Sequence, residues 1–332
     1  MTFHFNRFVL AALAASMLAF GAAGAAAQTT APALANTSCL VAFGVGNGAA
    51  STARPGLFSS SGSARVSTIY RLQGIDDARM QRITDELCAA FDTSLRETGA
   101  SVATDAFRAH ANYQRYLDAG VASGASFGDR PVEYRVFAPS GDRITHPAFS
   151  VGTGVDNLRI REAGVANAIG ARPVRAVFQI DFAEVDARRD RGVLTAMVGQ
   201  RTAEVEARVG MRVNLAVTTY DATRFRCWNR FGMAECNPAD VRRTERTWAP
   251  EAPLQSSAAI VAVEDTTTGG QRAAQAAINV LGALGGGGRL AYSQHVVEVD
   301  GAAYEAFALE AGRELLAPSL QWLNTPAVEA RR

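Results

Sequence analysis

Two stretches of strict alternation constrain this fold more than any other feature of the chain. Val174, Ala176, Phe178, Ile180 and Phe182 alternate with Arg175, Gln179 and Asp181. After a charged turn, Asp186 to Arg191, the pattern resumes. Ala203, Val205, Ala207, Val209, Met211, Val213, Leu215 and Val217 alternate with Glu204, Glu206, Arg208, Arg212 and Asn214. Successive side chains of a strand point to opposite faces, so period two predicts a long antiparallel hairpin with one apolar and one wet face. In an ordinary sheet protein helices cover the apolar face. The arms are also long enough to span an outer membrane, and the tip Val193 to Val198 is apolar, so an oligomeric outer-membrane channel or secretion accessory is the alternative.

The remaining pattern places this hairpin in an α+β fold. Ala64 to Leu72 alternates and reads as a strand. Asp76 then caps a helix whose stripe is Ile83, Leu87, Phe91 and Leu95, closed by Gly99. Further helices are predicted over 104–117, 156–169 and 271–284, and a last one is capped by Asp300 with stripe Tyr304, Phe307, Ala311, Leu315 and Leu316. Strands are predicted over 132–137, 258–263 and 290–299. The expected architecture is a mixed, largely antiparallel sheet with helices packed on it and one long β-hairpin. Residues 28–62, rich in Ala, Thr, Ser and Gly, read as a flexible lead-in with one short strand at 40–45. No Pro/Ser-rich linker interrupts the chain beyond residue 62, so a single domain over 63–323 and a tail over 324–332 are expected.

The N-terminus carries an address. Arg7, the short apolar run Val9 to Phe20 and Ala25-Ala26-Ala27 form a secretory signal peptide over residues 1–27, too short for a membrane span. Export makes the cysteines informative. Cys227 and Cys236 flank a short turn-like segment and are expected to form a disulfide. Cys39 and Cys88 could pair with each other or remain buried thiols. No cysteine or histidine spacing suits zinc, so no metal and no cofactor is expected.

Composition excludes several functions. The formal net charge is +1, without the cationic excess of a nucleic-acid binder. All 33 basic residues are arginine; without lysine there is no P-loop lysine, Schiff base or Ser–Lys dyad. Gly124-Ala125-Ser126-Phe127-Gly128 matches the spelling of a nucleophile elbow, but a loop precedes it and a strand follows. A serine-dependent hydrolase built on Ser126 with His110, His146 or His295 is therefore only an alternative, and no catalytic residue is assigned. Gly44-Val45-Gly46-Asn47-Gly48 lacks the helix a dinucleotide fingerprint needs. The candidate binding surface is the hairpin around the expected disulfide, where Arg224, Arg226, Trp228, Arg230 and Phe231 combine guanidinium and aromatic groups. A solvated hairpin tip has the same composition.

Leu72-Gln73-Gly74-Ile75-Asp76 leading into Gln81-Arg82-Ile83-Thr84-Asp85, with Val263-Glu264-Asp265-Thr266-Thr267 and Val299-Asp300-Gly301-Ala302-Ala303-Tyr304, resembles a set of uncharacterised exported α/β proteins of proteobacteria. The element order is similar to the curli-secretion channel lipoprotein family, whose periplasmic α/β domains project hairpins into the outer membrane as ring-shaped oligomers. This chain departs from that family before Cys39, where Asn36 stands in place of the lipobox leucine. The resemblance implies no functional residue. The expectation is an exported cell-envelope protein of the periplasm or outer-membrane periphery, with a non-catalytic binding or assembly role. Its partner would be an envelope protein or a small ligand, and a homo-oligomer is allowed.

Overall fold

In this computed structural model residues 33–53, 64–98, 102–128, 132–149, 154–189, 203–230, 233–285 and 289–325 are described. The proposed signal peptide, the hairpin tip, Gly99 and Phe231 lie outside them. Where the sequence pattern predicts a loose lead-in and a short strand, the chain forms β1 (Ala33–Ala53), a 21-residue strand at the centre of the sheet. Leu34, Ala35, Leu40, Val41, Ala42 and Phe43 on it are all buried. A strand buried on both faces has no wet face to alternate with, so its sequence carries no period. Its small residues let chain pack closely on either side.

From there the order is β2 (Ala64–Gln73), α1 (Asp77–Glu97), α2 (Thr104–Ala109), α3 (Tyr113–Asp118), β3 (Ala125–Phe127), β4 (Glu133–Phe137) and α4 (Gly154–Ala168). The long hairpin comes next as β5 (Ala171–Arg189) and β6 (Ala203–Thr219). After it stand β7 (Cys227–Arg230), β8 (Met233–Cys236), α5 (Pro238–Thr244), β9 (Arg246–Trp248), β10 (Leu254–Ser256) and β11 (Ile260–Asp265). The chain closes through α6 (Gly269–Gly285), β12 (Arg289–Val299), α7 (Gly301–Glu314) and α8 (Leu316–Asn324). The single helix expected over 104–117 is two, interrupted at His110–Asn112.

The main sheet runs β10-β6-β5-β1-β2-β12-β11, with β4 and β3 added beside β1 and β9 beside β6. Only β1–β5 and β2–β12 are parallel among its described pairs, so the fold is α+β with a mixed, mostly antiparallel sheet. Val41 has β5 on one edge and β4 on the other, whereas Gly46 has β4 and β2. A strand has two edges, so β2 takes over the edge that β5 leaves after Phe43–Ile180. Gly74 ends β2 with φ +99°, and a Cβ there would lie 2.2 Å from the Val299 carbonyl oxygen, so only glycine fits.

The apolar hairpin residues Phe178, Ile180, Val213, Leu215 and Val217 are buried in one cluster with Ile83, Leu87, Phe91 and Leu95 of α1, Tyr304 of α7 and Leu320 of α8. Helices therefore cover this face. The alternation does not keep to one face along the whole hairpin, however. The register passes from Asp181↔Arg212 to Ala183↔Val209, so β6 carries one extra residue, a β-bulge at Gly210–Met211. Phe182 and Ala183, neighbours that point to opposite faces, are both buried at 1 % exposure. The bulge thus breaks the alternation between Val213 and Val209, and Val209 and Ala207, only partly buried, pack at the margin of the same cluster. A second cluster, built on Ala35, Ala171 and Tyr220, lies under α4 and α5 with Leu158, Val165, Ala166 and Val241.

Two disulfides lock this arrangement. Cys227–Cys236 joins directly opposed residues of β7 and β8, as the sequence predicts. Cys39–Cys88, left open by the sequence, ties the central strand to α1. Two disulfides indicate an oxidising, exported compartment. Among the described residues no helix is long and apolar enough to cross a membrane.

Candidate functional site

The second helical layer covers a charged side chain that the alternation assigns to solvent. Arg175 follows Val174 on β5, on the face expected to be wet, yet it is only 2 % exposed. Burying an isolated guanidinium is prohibitive, so it must be neutralised and hydrogen-bonded in place. Glu162 of α4 does this. It sits four residues after Leu158 and four before Ala166, on the buried stripe of the helix, and is itself 1 % exposed.

Arg175 Nε donates to Glu162 Oε1 and Oε2 at 3.0 and 2.9 Å, and Nη2 donates to Oε2. Its Nη1 donates to Glu245 Oε1 at 2.5 Å. Glu162 also accepts from Tyr220 Oη at 2.8 Å and from Thr37 Oγ1. Arg159, one turn earlier on α4, donates from Nη2 to Glu245 Oε2 at 3.4 Å. Two arginines and two glutamates thus form a charge-balanced quartet. The Tyr220 ring lies 5.3 Å from the Arg175 guanidinium and adds a cation–π contact. Burial opposes the charge on Arg175, but Glu162 and Glu245 outweigh it and hold its pKa above the ordinary arginine value. Burial, then Glu162, pushes the Tyr220 hydroxyl up, so it stays a donor.

Glu245 is positioned by the disulfide hairpin. Buried Cys236 packs in the second cluster with Val241 of α5, Asn237 caps that helix by accepting from Ala239 N–H, and Glu245 ends it by donating N–H to the Val241 carbonyl. The chain then enters β9, which sets Thr247 opposite Thr218 with their hydroxyls 2.9 Å apart. A cavity of about 320 Å³ opens here, lined by His146, Arg159, Arg175, Thr218, Glu245 and Thr247.

His146 stands at the start of the turn Pro147–Phe149. Its Nδ1 accepts from Ala148 N–H at 3.2 Å, which leaves the proton of the neutral ring on Nε2. Burial, then the charges of Arg175 and Arg159, lowers its pKa from 6.5 to about 3. The imidazole is therefore uncharged at neutral pH. Because the folded state resists protonation, His146 contributes stability above pH 6.5 that is lost as pH falls from 6.5 toward 3. In urea unfolding, the His146→Gln variant is expected to lose up to about 2 kcal/mol less than the parent between pH 7 and pH 5. Equal losses would show that the ring titrates normally.

None of the binding residues singled out from the sequence is among those that line this cavity. Arg226 is exposed and Trp228 is 50 % exposed on β7, next to the Cys227–Cys236 bridge. Arg224 lies in a 3₁₀ turn and Arg230 on β7, while Phe231 falls outside the described residues. Of the three histidines singled out, His146 alone lines the cavity; His110 Nδ1 accepts from Asn112 N–H, and His295 stacks on Tyr70. Ser126 sits within β3 opposite Arg135, on a strand that leads to β4 rather than to a helix, so no nucleophile elbow forms. Among the described residues no group of three His, Cys, Asp or Glu side chains is arranged to hold a metal. No motif or spacing in the sequence singles out Arg159, Glu162, Thr218, Glu245 or Thr247. Glu162 left one trace, a carboxylate on an apolar helical stripe. No family model, curated protein or solved structure matches the chain.

Proposed function

We propose that the chain is an exported protein of the cell envelope, directed to the periplasm by a cleaved leader over residues 1–27, that binds a small polar ligand in the His146–Arg159–Glu245 cavity. One observation carries this reading. The chain buries an ion pair, Arg175 with Glu162, costly to desolvate, and extends it through the partly exposed Glu245 and Arg159 to the wall of an open cavity rather than enclosing it in a closed core. The disulfides support the exported location, and the disulfide-closed hairpin ahead of Glu245 supports a preformed site.

The test is ligand-observed NMR of the purified, oxidised protein against a panel of small acids, amides, amines and sugars. Saturable binding that is lost when Thr247→Trp fills the cavity is expected. A panel with no saturable binder, or binding unaffected by that variant, would remove the reading. Assembly through the hairpin is the second reading. It is favoured by the stretch of β5 and β6 beyond the bulge, where each strand pairs only with the other among the described residues.

A further inference from the structure

We infer that the ligand of this cavity is a small organic carboxylate, gripped by the Arg159 guanidinium and the His146 Nε2–H. The inference rests on the binding reading above and adds the ligand's chemical class.

Arg175 is a poor handle for a ligand, because it is 2 % exposed and each of its three nitrogens already donates to Glu162 or Glu245. Arg159 differs. It makes one long bond, 3.4 Å, to Glu245 Oε2, and its Nε is buried with no hydrogen-bond partner. An unsatisfied buried guanidinium N–H is costly, and once the partly exposed side chain turns that edge to the cavity, Nε–H with a neighbouring Nη–H forms the fork that a carboxylate accepts bidentately. His146 adds a neutral donor, and the Thr218–Thr247 pair leaves one further hydroxyl hydrogen for an acceptor. The cavity thus keeps donors at Arg159, His146 and the threonine pair that an acceptor-bearing ligand can use, while the acceptor sites left over lie on Glu245 and the threonine hydroxyls.

Charge selects within that class. The quartet is neutral, with Arg159 as its least compensated cation and Glu245 on the cavity wall. A monoanion gains Arg159 at little expense, whereas a dianionic phosphate brings a second charge toward Glu245. Size gives the other limit. At about 30 Å³ per water in the liquid, 320 Å³ admits a ligand of about ten non-hydrogen atoms.

The experiment uses the full oxidised protein with matched probes: acetate, lactate and benzoate, their amides, and phenylphosphonate. Dissociation constants are measured by titration calorimetry or NMR at pH 7. At least one carboxylate is expected to bind ten-fold or more tightly than its amide and than phenylphosphonate. Arg159→Gln is expected to abolish that preference. Arg159→Lys, which keeps the charge beside Glu245 but not the fork, should fold as the parent and recover only part of it. Arg313→Gln, at an exposed ion pair with Glu86, should leave the affinity unchanged. Amides binding as well as acids, phosphonate binding best, or a carboxylate preference that survives Arg159→Gln would each overturn the inference while leaving a ligand-binding cavity. Failure of every probe would overturn the inference, and the broader panel, amines and sugars included, then decides the binding reading separately.

Discussion

Replacing Glu162 by alanine is expected to cost about 3–5 kcal/mol of unfolding free energy, the range for breaking a buried ion pair by removing one partner. The substitution strips three hydrogen bonds from Arg175 and leaves Tyr220 Oη and Thr37 Oγ1 without their shared acceptor. Among the described residues Glu245 Oε1 then remains as the one anionic partner of Arg175. Its residue is 18 % exposed, and it cannot turn to both ends of the guanidinium. Removing the whole pair should be milder. A double variant Glu162→Leu with Arg175→Met puts apolar volume where the charges were, and such replacements are often neutral or stabilising. Urea unfolding of both variants checks this. A single variant that loses less than about 1 kcal/mol would mean that water reaches Arg175 in solution, and the quartet would no longer explain the site.

The second large effect concerns the two disulfides, which should not be equivalent. Cross-linking restricts the unfolded chain more when the closed loop is longer. Cys39 and Cys88 are 49 residues apart, Cys227 and Cys236 only 9. Loop entropy then assigns about 4 kcal/mol to the first and about 2.5 kcal/mol to the second. Cys39 and Cys88 are also both 5 % exposed within the main cluster, so their loss removes packing between β1 and α1 as well. The double variant Cys39→Ala with Cys88→Ala should therefore have the lower urea midpoint of the two double variants. The reverse order would show that β7–β8 and the α5 segment behind it, rather than the central strand, hold the fold together.

What could be read from the sequence was what a local period or a cap encodes. Ile83, Leu87, Phe91 and Leu95 form a buried stripe on α1, and Asp76 accepts from Arg79 N–H at its cap, as the pattern predicts. Asp300 likewise accepts from Ala302 and Ala303 N–H at the start of α7. The β5–β6 hairpin was legible for the same reason. Its bulge was not, because the odd-numbered apolar run of β6 continues unbroken through it. The hints were Gly210 within a strand and Ala183 directly after Phe182. β1 was hidden by its own burial, since small residues covered on both faces leave no alternation. The pairing of Cys39 with Cys88 needed α1 to be placed on β1.

The site was less legible than the fold, because its members are joined only in space. Glu162 and Glu245 lie 13 and 70 residues from Arg175. Arg175 obeys the strand alternation perfectly well; what the sequence lacks is any sign that α4 lies over that face. Arginine and aromatic residues around Cys227 drew attention to the neighbouring hairpin instead. The structure gives that hairpin a supporting place, immediately ahead of the helix that ends in Glu245.

The account depends on a chain that works outside the reducing cytoplasm with both bridges closed. The most direct measurement is fractionation of cells expressing the full-length chain, with thiols trapped at lysis and the intact mass recorded for each fraction. The account predicts recovery in the soluble envelope fraction, a mass matching a chain that begins at Gln28, and no trapped thiol on Cys39, Cys88, Cys227 or Cys236. Recovery in the cytoplasm with trapped thiols would contradict it, and retention in carbonate-washed membranes would replace the soluble binding protein with a membrane-held assembly.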